Sequence, residues 1–343
     1  MIIDCHGHYT TAPPQLGEYR DAQLAALEAD PNHVGEKGRI DISDDELRAS
    51  IEGNQLRLQR ERDIDLTLFS PRASWMGHHI GNEHTSRFWT EHCNDLIRRI
   101  CDLYPANFAP VCQLPQSPGV SVESSVAELH RCVEEMGFIG CNLNPDPSGG
   151  NWTGPPLFDP YWRPLFEAMC ELDVPAMVHV SATCNPNFHF TSSHYLGADT
   201  TAFVQAMTSG LFDDFPTMRW IIPHGGGAVP YHWGRFKGMA EGNDGWAHLD
   251  QLMNNIFFDT CVYHQPGIDL LVDVVPADNI LFGSEMLGAV KTLNPETGEG
   301  YDDTKLYIDR AHLTDDDRAL IFEGNVRRVF PRLQTPTDTS GAT

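Results

Sequence analysis

Short apolar segments rich in β-branched residues recur along the sequence, and this recurrence restricts the possible fold most strongly. Eight of them are predicted strands, at residues 1–5, 64–70, 108–114, 138–143, 176–180, 219–223, 255–259 and 279–283. Stretches with helical periodicity alternate with most of these strands, at residues 87–104, 124–136, 161–172, 200–215, 270–275 and 315–330. The alternation predicts an α/β chain with a parallel sheet, and eight repeats favour a closed (β/α)8 TIM-type barrel over an open doubly wound sheet, which remains the alternative.

Three connections are longer than simple loops and follow the first, fifth and eighth strands, at residues 10–60, 183–199 and 287–303. In the first of them, Ser43 precedes three acidic residues and predicts the start of a helix. Long segments after barrel strands form lids or substrate pockets, and we expect this of residues 10–60. The 343 residues fit one barrel domain over residues 1–333, with a disordered tail at 334–343.

The segment Asp4-Cys5-His6-Gly7-His8 follows the first apolar residues of the chain. Side chains alternate along a strand, so His6 and His8 are predicted to share one face. In a barrel that face is the interior, whose C-terminal end holds the chemistry of such folds. The pair can therefore bind one metal ion, although an isolated H-x-H is equally compatible with two solvated histidines.

Three later strands also end in a residue that can bind a metal. His179 interrupts an apolar fifth strand, and His224 ends the sixth strand ahead of three glycines. We interpret His179 as a ligand, and His224 as a fourth ligand or as a base behind the metal. Glu285 follows the eighth strand and is predicted to be a ligand or a proton-transfer group rather than a solvated strand end. This donor set suits Zn²⁺, with Mn²⁺ or Fe²⁺ as alternatives.

The charge balance narrows the choice of partners. With 23 basic and 48 acidic residues, the formal net charge of −25 disfavours nucleic acid and anionic membranes. An anionic small molecule would need local cations, and Arg72, directly after the second strand, is the first candidate for a carboxylate clamp. Asn142, Asn144, His194, Arg235 and Lys291 are weaker candidates for substrate binding.

Composition also bears on location and assembly. Nine cysteines without C-x-x-C spacing favour a reducing compartment, and no secretory signal or long apolar run is apparent, so the expected location is the cytoplasm. Arg235 lies in the aromatic-rich stretch 231–236, which can pack a helix or a subunit contact. We expect a homo-oligomer, since cyclic dimers are the commonest assembly.

These motifs together resemble the amidohydrolase superfamily, in its branch of metal-dependent decarboxylases and hydratases. Residues 4–13, 69–74, 142–150 and 284–286 are similar to the 4-oxalomesaconate hydratase family of that branch, and the resemblance extends from Met1 to about Leu333. Two departures from the wider superfamily bear on mechanism. Binuclear members carry a metal-bridging lysine at the end of the fourth strand, where this chain reads Cys141-Asn142-Leu143-Asn144, so the resemblance implies one metal ion. Glu285 stands where decarboxylases and hydrolases typically have aspartate.

The resemblance implies a hydro-lyase that adds water to the carbon–carbon double bond of 4-oxalomesaconate or its keto tautomer, in protocatechuate and gallate degradation. The product would be 4-carboxy-4-hydroxy-2-oxoadipate. In this reading the metal activates water and substrate, Glu285 and His224 move protons, and Tyr195 is an acid or hydrogen-bond donor, or else an ordinary loop aromatic. The alternatives are a metal-dependent decarboxylase of an unsaturated or aromatic acid and a lactone or ester hydrolase on the same fold.

Overall fold

Eight parallel strands form one sheet in the computed structural model, which describes residues 1–189 and 191–334. They run in chain order: β1 (Ile3–Tyr9), β2 (Leu66–Pro71), β3 (Phe108–Gln113), β4 (Gly140–Leu143), β5 (Ala176–Val178), β6 (Trp220–Ile222), β7 (Ile256–Asp259) and β8 (Ile280–Leu281). An open doubly wound sheet reverses its strand order at a switch point, and this sheet does not. The predicted tail lies outside the described residues from residue 335 onward.

Hydrogen bonds connect the end of β8 to β1. The Cys5 N–H donates to the Phe282 carbonyl at 2.8 Å, and the Glu285 N–H donates to the His6 carbonyl at 2.9 Å. The buried Asp4 carboxylate accepts the backbone N–H of Ser284 at 3.0 Å and its hydroxyl at 2.5 Å. The curled sheet is therefore that of a TIM-type (β/α)8 fold, as the alternation of strands and helices predicted.

The helices between the strands are α1 (Pro14–Ala29), α2 (Asp44–Glu52), α3 (Gln55–Glu61), α4 (Glu83–Leu103), α5 (Glu123–His130), α6 (Arg163–Glu171), α7 (Ser193–Met207), α8 (Leu211–Asp214), α9 (Trp233–Glu241), α10 (Leu249–Leu252) and α11 (Gln265–Val274). After β8 come α12 (Thr304–Arg310), α13 (Asp315–Ala319) and α14 (Asn325–Val329). The predicted helix start at Ser43 is confirmed, because its side chain and that of Glu46 form a capping box at α2. No helix of the described residues is both long and apolar enough to cross a membrane.

The helix predicted at 200–215 is wrong at both ends. Helix α7 begins at Ser193, because His194, Tyr195 and Ala198 continue its buried face at helical spacing. It ends at Met207, and the short α8 follows after Gly210. Tyr195 therefore lies on a helix and not in the predicted loop.

The structure has two large apolar cores and a small third cluster of Val180, Tyr195 and Ala198. The outer core lies between the sheet and the helices. The inner core fills the barrel with side chains of alternate strand positions, such as Ile3, Leu68 and Phe257, and α14 adds Val326 and Val329. The barrel interior near the N-terminal ends of the strands is thus packed with apolar side chains. The polar side chains of the interior lie towards the C-terminal ends of the strands.

An irregularity in β1 sets the direction of the two histidines. Residues 4 and 7 of β1 pair with residues 67 and 69 of β2, so β1 contains one extra residue between these pairs. A bulge of this kind exchanges the two faces of a strand. Cys5 belongs to the inner core before the bulge, and Tyr9 belongs to the outer core after it. His8, adjacent to Tyr9, therefore points into the barrel. The strand also runs to Tyr9 and not to Cys5 as predicted, because Gly7–Tyr9 pair with Phe69–Pro71.

Gly7→Ala tests whether this close pairing needs a glycine. A Cβ at Gly7 would lie 2.3 Å from Cγ2 of Thr67 and 3.0 Å from the Leu68 carbonyl oxygen. We expect overpacking to lower the free energy of unfolding by about 1–3 kcal/mol, measured by urea denaturation. The control is Gly17→Ala within α1, where a Cβ meets no atom within 4 Å and a gain of about 0.5–1 kcal/mol is expected. Wild-type stability of Gly7→Ala would show that β1 and β2 can separate without cost.

Candidate active site

Four histidines meet at the C-terminal ends of the strands. His6 and His8 come from β1, His179 directly follows β5, and His224 follows β6. The ring centroids of neighbouring pairs lie 4.9 to 5.4 Å apart. The first three residues are at most 4% exposed, and the His224 side chain is 9% exposed. Four imidazoles that the sequence separates by up to 218 positions thus share one buried space.

An oxygen atom holds each imidazole at its Nδ1 atom. The contacts are His6 to Asp259 Oδ2 at 2.6 Å, His8 to Ser70 Oγ at 2.8 Å, His179 to the Val180 carbonyl at 2.7 Å and His224 to Asp199 Oδ2 at 2.9 Å. The Nε2 atoms face one another, with those of His6 and His8 at 3.0 Å. Those of His179 and His224 are buried and have no hydrogen-bond partner among the described residues. Unpartnered buried ring nitrogens, each held at the opposite nitrogen, fit a metal ion.

Glu285 brings a carboxylate to the same space. Its Oε2 atom accepts the Tyr263 hydroxyl at 3.0 Å and lies 3.9 Å from Nε2 of His224. Ligand atoms of His6, His179, His224 and Glu285 all lie within 4.8 Å of one another. His8 is outside that set and joins it through its contact with His6. A mixed nitrogen and oxygen donor set is suited to Zn²⁺, Mn²⁺ or Fe²⁺.

Burial and nearby charges shift the pKa values of the histidines in different directions. Burial lowers the pKa of His8 and His179 well below the ordinary value, and the other imidazoles add to this, so both rings are neutral. Burial also acts to lower the pKa of His224, but the charge and hydrogen bond of Asp199 outweigh it and raise that pKa to about 9. His224 can therefore carry a proton where His8 and His179 cannot.

A cavity of about 240 Å³ opens onto two of the four histidines, His8 and His179. Its lining comes from several strand ends and includes His8, His179, Tyr195 and Glu285 together with Thr10, Arg72, Ala73, Ser74, Thr191, Gly288, Ala289 and Lys291. The Tyr195 hydroxyl is buried without a hydrogen-bond partner among the described residues, and its ring lies 5.2 Å from that of His179. It is thus available to a bound molecule.

Arg72 is a cation with no acidic partner among the described residues. Its Nε–H donates to Ser74 Oγ at 2.8 Å, and its guanidinium carbon lies 4.5 Å from the ring centroid of Trp75. No carboxylate of the described residues lies within 4.0 Å of it, although the chain has 48 acidic residues. A fixed, half-buried guanidinium that lines a cavity is suited to bind a carboxylate of a ligand.

The other predicted substrate-binding residues are differently placed. Lys291 lines the cavity, whereas Asn142, Asn144, His194 and Arg235 are not part of its lining. Asn142 donates to Ser70 Oγ at 3.1 Å, behind His8, and Asn144 donates to Ser181 Oγ at 3.1 Å. His194 is buried on α7, and Arg235 is exposed on α9. Their roles in substrate binding, and the expected homo-oligomer, stay predictions.

Sequence reasoning missed several residues that contact the cluster, among them Asp259, Asp199 and Tyr263. Asp259 ends β7 directly after Phe257 and Phe258, the same pattern of an acid after an apolar strand that drew attention to Glu285. It was therefore detectable. Asp199 on α7 and Tyr263 after β7 carry no comparable signal, because only the packing of distant segments brings them to His224 and Glu285.

Comparison with known proteins adds three relatives. The sequence matches the Amidohydrolase family over residues 3–332. A 2-keto-4-carboxy-3-hexenedioate hydratase from Sphingobium sp. is 57% identical over 344 residues, 99% of each chain. The crystal structure of a 4-oxalomesaconate hydratase from Rhodopseudomonas palustris is 53% identical with a TM-score of 0.89, covering 97% of this chain and 96% of that one. A gamma-resorcylate decarboxylase from Rhizobium sp. is 27% identical over 261 residues, 69% of this chain and 74% of that protein.

Asp259→Asn tests the metal site through the residue behind His6. The Asp259 carboxylate accepts from His6 Nδ1 and from the backbone N–H groups of Gly225 and Cys261, at 2.6, 2.9 and 3.1 Å. An amide can present a donor to Nδ1 and force the proton onto Nε2, so we expect metal affinity to fall about 10- to 100-fold in chelator competition. Asp41→Asn is the control, because the Asp41 side chain is 97% exposed. Unchanged affinity would show that the Asp259 carboxylate does not support a ligand.

Proposed function

The chain belongs to the amidohydrolase family, and on this premise we propose that it is a metal-dependent hydratase. It adds water across the carbon–carbon double bond of 4-oxalomesaconate, or its keto tautomer, to give 4-carboxy-4-hydroxy-2-oxoadipate in protocatechuate and gallate degradation. The observation that carries this proposal is a cavity lined by His8, His179, Glu285 and Arg72, next to the buried cluster of His6, His179, His224 and Glu285. The 57% identity to a hydratase over 99% of the chain supports the same reaction.

One metal ion, Zn²⁺ in our proposal, would be held by His6, His8, His179 and Glu285. A bound divalent ion supplies Lewis-acid activation of oxygen ligands. The neutral state of His8 and His179 supports their roles as ligands. The end of β4 carries Asn142, whose amide donates to Ser70, and this supports a single ion where binuclear relatives have a bridging lysine.

Two side chains are placed to move protons. Glu285 has one oxygen held by Tyr263, and no donor of the described residues contacts the other, which is free to take a proton from water. Asp199 holds His224 at Nδ1 and favours its charged form, so His224 is the donor for the carbon next to the ketone. Tyr195 can donate to the enolate oxygen that forms between these two transfers.

The carboxylates of the substrate would meet the cations of the cavity. Arg72 comes from the end of β2 and Lys291 from the segment after β8, so two separate elements approach the ligand. Thr10 and Thr191 line the same cavity from the segments after β1 and β5. We propose that these long segments cover the bound polycarboxylate, as predicted for residues 10–60.

A decarboxylase of an unsaturated or aromatic acid is the second candidate. It is favoured by the similarity to a gamma-resorcylate decarboxylase over 69% of the chain. Glu285 in place of the aspartate typical of decarboxylases argues against it, because the longer side chain moves the carboxylate further into the cavity.

Product analysis in ¹⁸O-labelled water separates the candidates. Zinc-loaded protein is incubated with 4-oxalomesaconate, and the product is examined by mass spectrometry. A hydratase incorporates one labelled oxygen as an alcohol and releases no carbon dioxide. Carbon dioxide release would identify a decarboxylase, and activity on a lactone with no double bond would identify a hydrolase.

Glu285→Gln should remove turnover while most of the metal remains bound. The amide keeps the size of the side chain but cannot accept a proton from water. Turnover and zinc content, measured on the same preparation, test this. Complete loss of zinc would instead make Glu285 primarily a ligand and contradict its role in proton transfer.

Arg72→Ala should weaken substrate binding. Loss of a charged hydrogen bond costs about 1.5–3 kcal/mol, which corresponds to a rise in the Michaelis constant of roughly 10- to 150-fold. Arg39→Ala is the matched control, because the Arg39 side chain is 88% exposed. An unchanged Michaelis constant for Arg72→Ala would exclude Arg72 as the clamp.

A further inference from the structure

A strained turn carries Glu285. Glu285 and Leu287 have φ values of 49° and 59°, in the left-handed region that non-glycine residues rarely adopt. The Gly288 N–H closes the turn by donating to the Glu285 carbonyl at 2.8 Å, and the Leu287 N–H donates to Asp302 Oδ2 at 3.2 Å. The surrounding contacts therefore hold Glu285 in a backbone conformation that is unfavourable for a non-glycine residue.

Tyr263 contacts one oxygen of the Glu285 carboxylate. Its hydroxyl lies 3.0 Å from Oε2 and 3.3 Å from the Ser284 carbonyl. Tyr263 is absent from the cavity lining, so it contacts Glu285 from behind. Among the residues that the structure describes, no donor reaches the other carboxylate oxygen. The two oxygens of Glu285 are therefore in different environments.

Gly288 leaves room for the same side chain. A Cβ at this position would lie 2.6 Å from the Glu285 carbonyl oxygen and 2.7 Å from both Cγ and Cδ of Glu285. Such distances are far inside van der Waals contact, and the Cδ atom is the carbon of the carboxylate itself. Any larger residue at position 288 must therefore move the carboxylate or open the turn.

We infer that Tyr263 and Gly288 are positioning residues that hold the Glu285 carboxylate by one oxygen and present the other to the water that adds to the substrate. Tyr263 anchors Oε2, and Gly288 allows the side chain to fold over its own turn. Neither residue exchanges a proton with the substrate. This inference rests on the proposed role of Glu285 in hydration.

The test compares two variants with two matched controls. Tyr263→Phe removes only the hydroxyl, and Gly288→Ala adds only a methyl group. Tyr104→Phe is the first control, because it removes a tyrosine hydroxyl that donates to the exposed Glu52 at 2.7 Å. Gly154→Ala is the second, because a Cβ there meets no atom within 4 Å.

We expect kcat of both variants to fall about 10- to 100-fold at saturating zinc, with KM within about twofold of the wild type, because the carboxylate is misplaced only for the proton transfer. The controls should match the wild type. Tyr263→Phe combined with Glu285→Gln should be no slower than Glu285→Gln alone, because Tyr263 acts through Glu285. Additive losses, or a rise in KM without a change in kcat, would overturn the inference.

Crystal structures separate this inference from the proposed reaction. In Tyr263→Phe the carboxylate should rotate away from its wild-type position, whichever substrate the enzyme uses. A carboxylate that stays in place would overturn the inference even if hydration is confirmed. Absence of hydration by the wild type, together with a displaced carboxylate in the variant, would overturn only the proposed function. Tyr263→Phe creates no clash and should fold. It therefore still tests the inference if Gly288→Ala fails to fold.

Discussion

The hydrogen bond behind each buried imidazole is the interaction on which the site depends. The centroids of neighbouring rings lie 4.9 to 5.4 Å apart in a buried space, so contacts within the protein must orient each ring. Two carboxylates, a hydroxyl and a backbone carbonyl supply the contacts to Nδ1. They turn the Nε2 atoms towards a common point, where in the proposed reaction those of His6, His8 and His179 would bind the metal ion and that of His224 would donate a proton.

These supporting groups come from different parts of the barrel. Asp259 ends β7 and also accepts the Gly225 N–H after β6, so it ties His6 to the glycine-rich turn that carries His224. Asp199 reaches His224 from α7. His6, His8 and His224 are therefore each positioned by a residue from another part of the chain, and the geometry of the site requires the barrel to be folded.

The cavity contains positively charged side chains although the chain as a whole is strongly negative. A net charge of −25 repels a polycarboxylate at long range, and only local cations can reverse this. Arg72 remains free for that purpose because Ser74 and Trp75 hold its guanidinium without neutralising it. Affinity for an anion thus depends on a few residues at the strand ends rather than on the overall field.

Short stretches of sequence were enough to predict the eight strands, their alternation with helices, and a site made of metal-binding residue types. Apolar periodicity and a ligand-type residue at a strand end can both be recognised within a few neighbouring residues. Thus His179, His224 and Glu285 were recognisable from their own segments. Tertiary structure alone decided the rest. The bulge that turns His8 into the barrel depends on pairing between β1 and β2, and the carboxylate behind His224 depends on where α7 packs. The hydrogen bond from Asn142 to Ser70 likewise depends on how β4 lies beside β2, and residues next to Asn142 in the sequence carry no information about it.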